Sequence, residues 1–202
     1  MAQHPAEQRL ETDLAIAEET LLEAGQVMPS FVVMAPGKRL LVPAPAEDAD
    51  IKAIYYNLLR LLCHAENAFS VTMIAEAWIR MERFRGRESV EECARRVNNI
   101  RPSQAPDRLE VIFAASCARS GDGKQHVAIG TRLIVRDTDG RPTGTAPDPF
   151  PEGGIPYDAA LAHLLPATPL SVEQQWAARQ QLIGVQAASG IYLKPAVLPD
   201  LP

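Results

Sequence analysis

The sequence predicts a mixed α/β (α+β) fold, a single five-stranded antiparallel sheet with helices packed on one side and a Pro-rich C-terminal arm. Three observations carry this prediction. Segments 70–81, 108–119 and 125–137 alternate apolar and polar residues with the period of two that a strand imposes. Segments 6–24 and 48–68 repeat apolar residues at three- and four-residue spacing, the period of a helix. The links inside two strand pairs are short and turn-rich, which forces antiparallel pairing.

In chain order, Leu10, Leu14, Ala17, Leu21 and Leu22 mark a first helix over 6–24, with Gly25 as its stop and acidic residues on its outer face. Two short apolar runs, 30–35 and 39–42, flank Pro36-Gly37-Lys38 and read as a hairpin. Pro43 and Pro45 end its second strand and place it near a sheet edge. Asp48 or Asp50 can cap the next helix, where Ile51, Ile54, Tyr55, Leu58, Leu61, Leu62 and Ala65 form a broad stripe. In the strand that follows, Val71, Met73, Ala75, Ala77 and Ile79 share one face, and Thr72, Ile74, Glu76, Trp78 and Arg80 the other.

Residues 88–98 suit a short, charged surface helix, and 101–107 a Pro-punctuated loop. Two further strands are joined by Ser120-Gly121-Asp122-Gly123, a hairpin turn. Their inner sets are Leu109, Val111, Phe113, Ala115, Cys117 and Val127, Ile129, Thr131, Leu133, Val135. From 141 to 170 prolines and glycines interrupt every period, as in an extended arm with one turn of helix near 157–165. Residues 171–189 regain a helical pattern, with Ser171 and Gln174 as a capping box and Trp176, Leu182, Ile183 and Val185 as apolar contacts. The expected organisation is a core domain over 1–140, an arm over 141–170, and a C-terminal helix and tail over 171–202 that pack on the core. The element order resembles the roadblock and profilin-like layouts, in order alone; no motif of those families is present, so nothing functional carries over.

The second sheet face holds Ile74, Glu76, Trp78, Ile112, Ala114, Ala128, Gly130 and Ile134, and is too apolar to be simply solvated. Its cover is expected from the C-terminal helix and arm, or from a second copy of the chain as a homodimer.

The chain of 202 residues carries a net charge of −5, which argues against a general polyanion binder and makes nucleic acid an unlikely partner. Arg80, Arg83, Arg85 and Arg87 form a local basic run, but Glu82, Glu88, Glu91 and Glu92 surround it. Three scattered cysteines without a Cys-x-x-Cys suit reduced thiols rather than a disulfide framework. No apolar run is long enough for a membrane span or a signal peptide, so a cytoplasmic location is expected.

No strong catalytic signature emerges. Glu76 and Glu110 fall on one face of neighbouring strands, where two carboxylates can push each other's pKa values apart for acid/base work. The structural alternative pairs each with an arginine, such as Arg80, Arg108 or Arg132. Cys63, Cys117, His64 and His126 offer the residue types of a nucleophile–base pair without fixing a geometry, and His4 and His163 lie in irregular regions. No metal-ligand spacing is present; Asp137-x-Asp139-Gly140 lacks the Glu a calcium loop needs at its twelfth position, where Asp148 stands. No cofactor is expected.

Glu76-Ala77-Trp78 and Pro102-Ser103-x-x-Pro106-Asp107-Arg108-x-Glu110, with the upstream Pro29-Ser30-Phe31, resemble a group of uncharacterised proteins from bacteria and their phages. The resemblance covers roughly 28–137 and implies no activity. From the residues themselves, Glu76, Trp78, Arg80, Asp107, Arg108 and Glu110 are expected to form one polar patch with an aromatic lid, a structural clasp or a recognition surface. The resulting expectation is a non-enzymatic interaction or accessory protein, phage-associated or otherwise, binding a protein partner or itself. The rival is a small hydrolase using Glu76 and Glu110, with or without a metal.

Overall fold

The computed structural model of the chain describes residues 4–44, 49–79, 86–97, 99, 102–147 and 159–199. Asp48, Arg80, Arg83, Arg85 and Asp148, which figure in the expectations above, lie outside the described residues. The elements are α1 (Pro5–Ala24), β1 (Ser30–Ala35), β2 (Lys38–Pro43), α2 (Ala49–Ala65), β3 (Ser70–Ile79), α3 (Val90–Val97), β4 (Leu109–Arg119), β5 (Gln125–Arg136), β6 (Pro142–Ala146), α4 (Val172–Ser189) and β7 (Ala196–Leu198), with 3-10 turns at Pro102–Gln104 and Ala159–Leu164. The strands form one antiparallel sheet in the order β6-β5-β4-β3-β1-β2-β7.

The α+β class and the single antiparallel sheet match the prediction, but the sheet has seven strands, not five. The two additional strands are its edges. β6 reads Pro-Thr-Gly-Thr-Ala and pairs with β5 inside the stretch expected to be an arm. β7 is three residues set between Pro195 and Pro199, and it pairs with β2. An edge strand tolerates Pro and needs no buried face, so main-chain pairing alone recruits these segments and no apolar alternation announces them.

The second correction concerns the layers: helices lie on both faces. On one face, Phe31, Val33, Val42, Val71, Ala115 and Cys117 meet Leu58, Leu59, Leu61 and Leu62 of α2. Leu161, Leu164 and Leu165 around the second 3-10 turn, with Leu182 of α4 and Leu193 beyond it, complete this core. The Tyr55 hydroxyl donates to the Pro43 carbonyl oxygen and ties α2 to the end of β2.

On the opposite face, Val32, Ile74, Ile112, Ala114 and Ile134 are covered by Leu10, Leu14, Ala17 and Leu21 of α1. The apolar second face therefore finds its cover inside the chain, but from the N-terminal helix, not from the C-terminal helix and arm. Burying each of those leucines contributes roughly 1.5–3 kcal/mol. Gly130 permits the approach: a Cβ there would lie 3.0 Å from Leu14 Cδ1 and 3.2 Å from Leu10 Cδ2.

Local chemistry sets the ends of α1. Ala6 N–H donates to His4 Nδ1 at 3.2 Å, and His4 N–H donates to Glu7 at 3.0 Å, a reciprocal cap. Gly25, at φ 80°, closes the helix in the left-handed conformation that glycine adopts freely. Polar contacts then fix its position. Asp13, fully buried, accepts from Arg39 of β2 at 3.0 Å. Arg132 of β5 reaches Glu11 at 2.6 Å and Glu18 at 2.9 Å. Part of the acidic face thus turns to the sheet's arginines rather than to solvent.

Candidate functional site

Strand parity brings the expected carboxylates together. Trp78 stands opposite Glu110 in the β3–β4 ladder and Glu76 opposite Ile112, so Glu76 and Glu110 are diagonal neighbours on the α1-covered face. Their shared partner is Arg136 of β5. Its Nε and Nη2 donate to the two oxygens of Glu110, each at 2.7 Å, a bidentate fork. Nη2 also lies 3.5 Å from Glu76, and Nη1 donates to the Gly140 carbonyl at 3.1 Å. The other oxygen of Glu76 accepts the Val27 N–H, just beyond α1. The Glu110 hydrogen bond is the leading reason that Arg136 holds its proton more tightly than usual, with the charges of Glu110 and Glu76 adding to it.

Five pieces of backbone meet at this clasp: three strands, the α1–β1 link and the β5–β6 turn. Arg136 was not among the arginines expected to pair here. Parity was the signal that could have found it, because 132, 134 and 136 share the face of Glu110. Of the expected partners, Arg132 turns to α1 and Arg108 to Trp78, while Arg80 lies outside the described residues. The Arg108 guanidinium sits 4.4 Å from the Trp78 ring centroid, within cation–π range, and Nη1 donates to the Ser103 carbonyl at 2.6 Å. Trp78 is partly exposed, and Asp107, next to Arg108 in the chain, is exposed. The patch thus has two parts: a half-buried clasp and an Arg-on-Trp stack outside it. A described cavity of about 330 Å³ is bordered by Pro5, Gln8, Arg9 and Thr12, at the opposite end of α1.

The cysteines and histidines do not assemble a nucleophile pair. Cys117 and His126 project from opposite faces of the sheet. Burial pushes the Cys63 thiol up to about 12 and the Cys117 thiol up to about 11, away from the reactive thiolate. His126 instead packs against His4, ring centroids 3.7 Å apart and the planes tilted by 40°. His64 sits in the last turn of α2, and His163 is exposed. Among the described residues no group of three or more His, Cys, Asp or Glu side chains could hold a metal. Asp137 spends its carboxylate on its own turn, accepting from the Asp139 and Arg141 N–H groups at 2.9 and 2.8 Å.

A second surface belongs to α4. Ser171 and Gln174 form the expected capping box, with Gln174 N–H to Ser171 Oγ at 3.3 Å and Ser171 N–H to Gln174 at 2.9 Å. Ala178 and Leu182 are buried on the α2 side, and Arg179 reaches Glu66 at 3.0 Å. Trp176 and Ile183, expected as packing contacts, are 64 % and 53 % exposed, and Val172 is 76 % exposed. This helix is apolar on two sides and packs by one.

No family model matches the chain, nor does any curated protein or solved structure. Among the described residues no helix is long and apolar enough to cross a membrane.

Proposed function

We propose that this chain is a non-enzymatic interaction or accessory protein, and that its docking surface is the outer face of α4. The observation that supports this most is the exposure of Trp176 and Ile183 on a helix capped at both ends and anchored on its other side. Globular proteins seldom leave large apolar side chains grouped in water, and partner surfaces are where such groups occur. Trp is also the residue type most enriched among binding hot spots. The resemblance to bacterial and phage proteins adds a phage-associated setting to the proposal.

The hydrolase alternative needs a carboxylate at liberty to take or give a proton beside a cleft. Arg136 engages both Glu76 and Glu110. No observation favours that alternative.

The test compares wild-type protein with Trp176→Glu, by light scattering and as bait in affinity capture. Self-association or partner capture that the substitution abolishes supports the reading. A monomer whose captured proteins are the same with and without Trp176 refutes it.

A further inference from the structure

The exposed face of α4 carries a pattern that selects one occupant. Val172, Trp176, Ile183 and Ala187 are all exposed and fall within an arc of about 60° at 100° per residue. Their spacings are four, seven and four residues, so the pattern reads the same in both directions. If a second α4 is laid antiparallel across a twofold axis between Arg179 and Gln180, Trp176 meets Ile183 of the other copy and Val172 meets Ala187. Each larger side chain faces a smaller one, as isologous packing requires.

The one like-charge pair in the arrangement, at its centre, is offset by an ion pair within each copy. No charged residue lies within the stripe. The two copies of Glu173 stand thirteen residues apart along the axis, about 20 Å, whereas Arg179 sits beside the twofold and meets its own copy there. Arg179 is already paired with Glu66 on its own copy. The four bare side chains amount to roughly 450 Å² per copy, and with their polar flanks a twofold contact reaches about 1,000–1,200 Å², the lower bound for specific association.

Resting on the interaction reading above, we infer that the occupant of this face is a second copy of the chain, bound through antiparallel α4 helices in a concentration-dependent homodimer. An interface this small suits weak, transient association.

Sedimentation or light scattering across the micromolar range should show a monomer–dimer equilibrium, weakened about tenfold or more by Trp176→Glu. Trp176 is exposed, so the fold should survive, as circular dichroism verifies. Orientation is read by cross-linking Val172→Cys and Ala187→Cys variants. Antiparallel helices separate the two copies of position 172 by about 22 Å along the axis, beyond disulfide reach. Neither variant should therefore cross-link alone, whereas a mixture should form a heterodisulfide; the native thiols are buried and the wild type serves as control. Homodisulfides from either single variant, or a dimer indifferent to Trp176→Glu, would overturn the inference. A strict monomer overturns it too. In that case Trp176-dependent capture of another protein leaves the interaction reading standing, and its absence removes both.

Discussion

At the residue scale, Arg136 does the most. One guanidinium binds both oxygens of Glu110, approaches Glu76 and holds the β5–β6 turn through Gly140. These side chains are half-buried, so the network lies between an exposed pair worth under about 1 kcal/mol and a buried one whose disruption costs about 3–5 kcal/mol. Arg136→Ala leaves two carboxylates facing each other without their cation. It is expected to destabilise the fold by about 2 kcal/mol in urea denaturation. Arg136→Lys should recover only part of this, because an ammonium keeps the charge but cannot fork across a carboxylate. If Arg136→Lys matched the wild type, charge alone would account for the clasp.

At the element scale, the two terminal helices are held differently. α1 lies against the sheet along a buried leucine stripe, with Leu10 and Leu14 packed over Gly130. Gly130→Ala forces the Leu10 and Leu14 methyls to move. The crowding outweighs the small gain from removing a strand glycine, for an expected loss of about 1 kcal/mol. Hydrogen exchange should show the change as faster exchange in α1 with the central strands little altered. α4 buries only Ala178 and Leu182 along its length, so it leans on its caps. Ser171→Ala removes the acceptor for the Gln174 N–H and should lower stability by about 1 kcal/mol, read as an earlier urea midpoint.

At the scale of the whole molecule, a central sheet is shielded on both faces, and its stability couples to pH through groups that the covering helices withdraw in whole or in part from water. Burial, with a smaller contribution from Arg60, holds His64 below the ordinary histidine range. The unfolded chain therefore binds more protons than the fold just below pH about 6.5. The stability from this group is complete above that pH and is lost as pH falls through the folded value. Asp13 runs in the other direction. Burial raises its pKa despite the nearby Arg9 and Arg39, so its contribution is greatest below pH about 3.8 and is lost as pH rises through its folded value. His64→Gln should accordingly flatten the fall in urea midpoint between pH 7 and pH 5. An unchanged fall would assign the acid sensitivity to other groups.

Side-chain order alone reveals which residues of β3, β4 and β5 share a face, the positions of α1, α2 and α4, and the adjacency of Glu76 and Glu110. Burial imposes a period of two or 3.6 on the residues that undergo it, and those periods are written in the order of the side chains. The assembled fold alone sets the edges of the sheet, because β6 and β7 join through main-chain groups that every residue carries. It also decided that α1, and not the C-terminal helix, shields the second face, since an apolar stripe demands cover without naming it. The same limit applies to Arg136 and Trp176. Parity places the first on the correct face but does not choose it among several arginines, and the second reads as an apolar packing contact of α4 although it stands 64 % exposed.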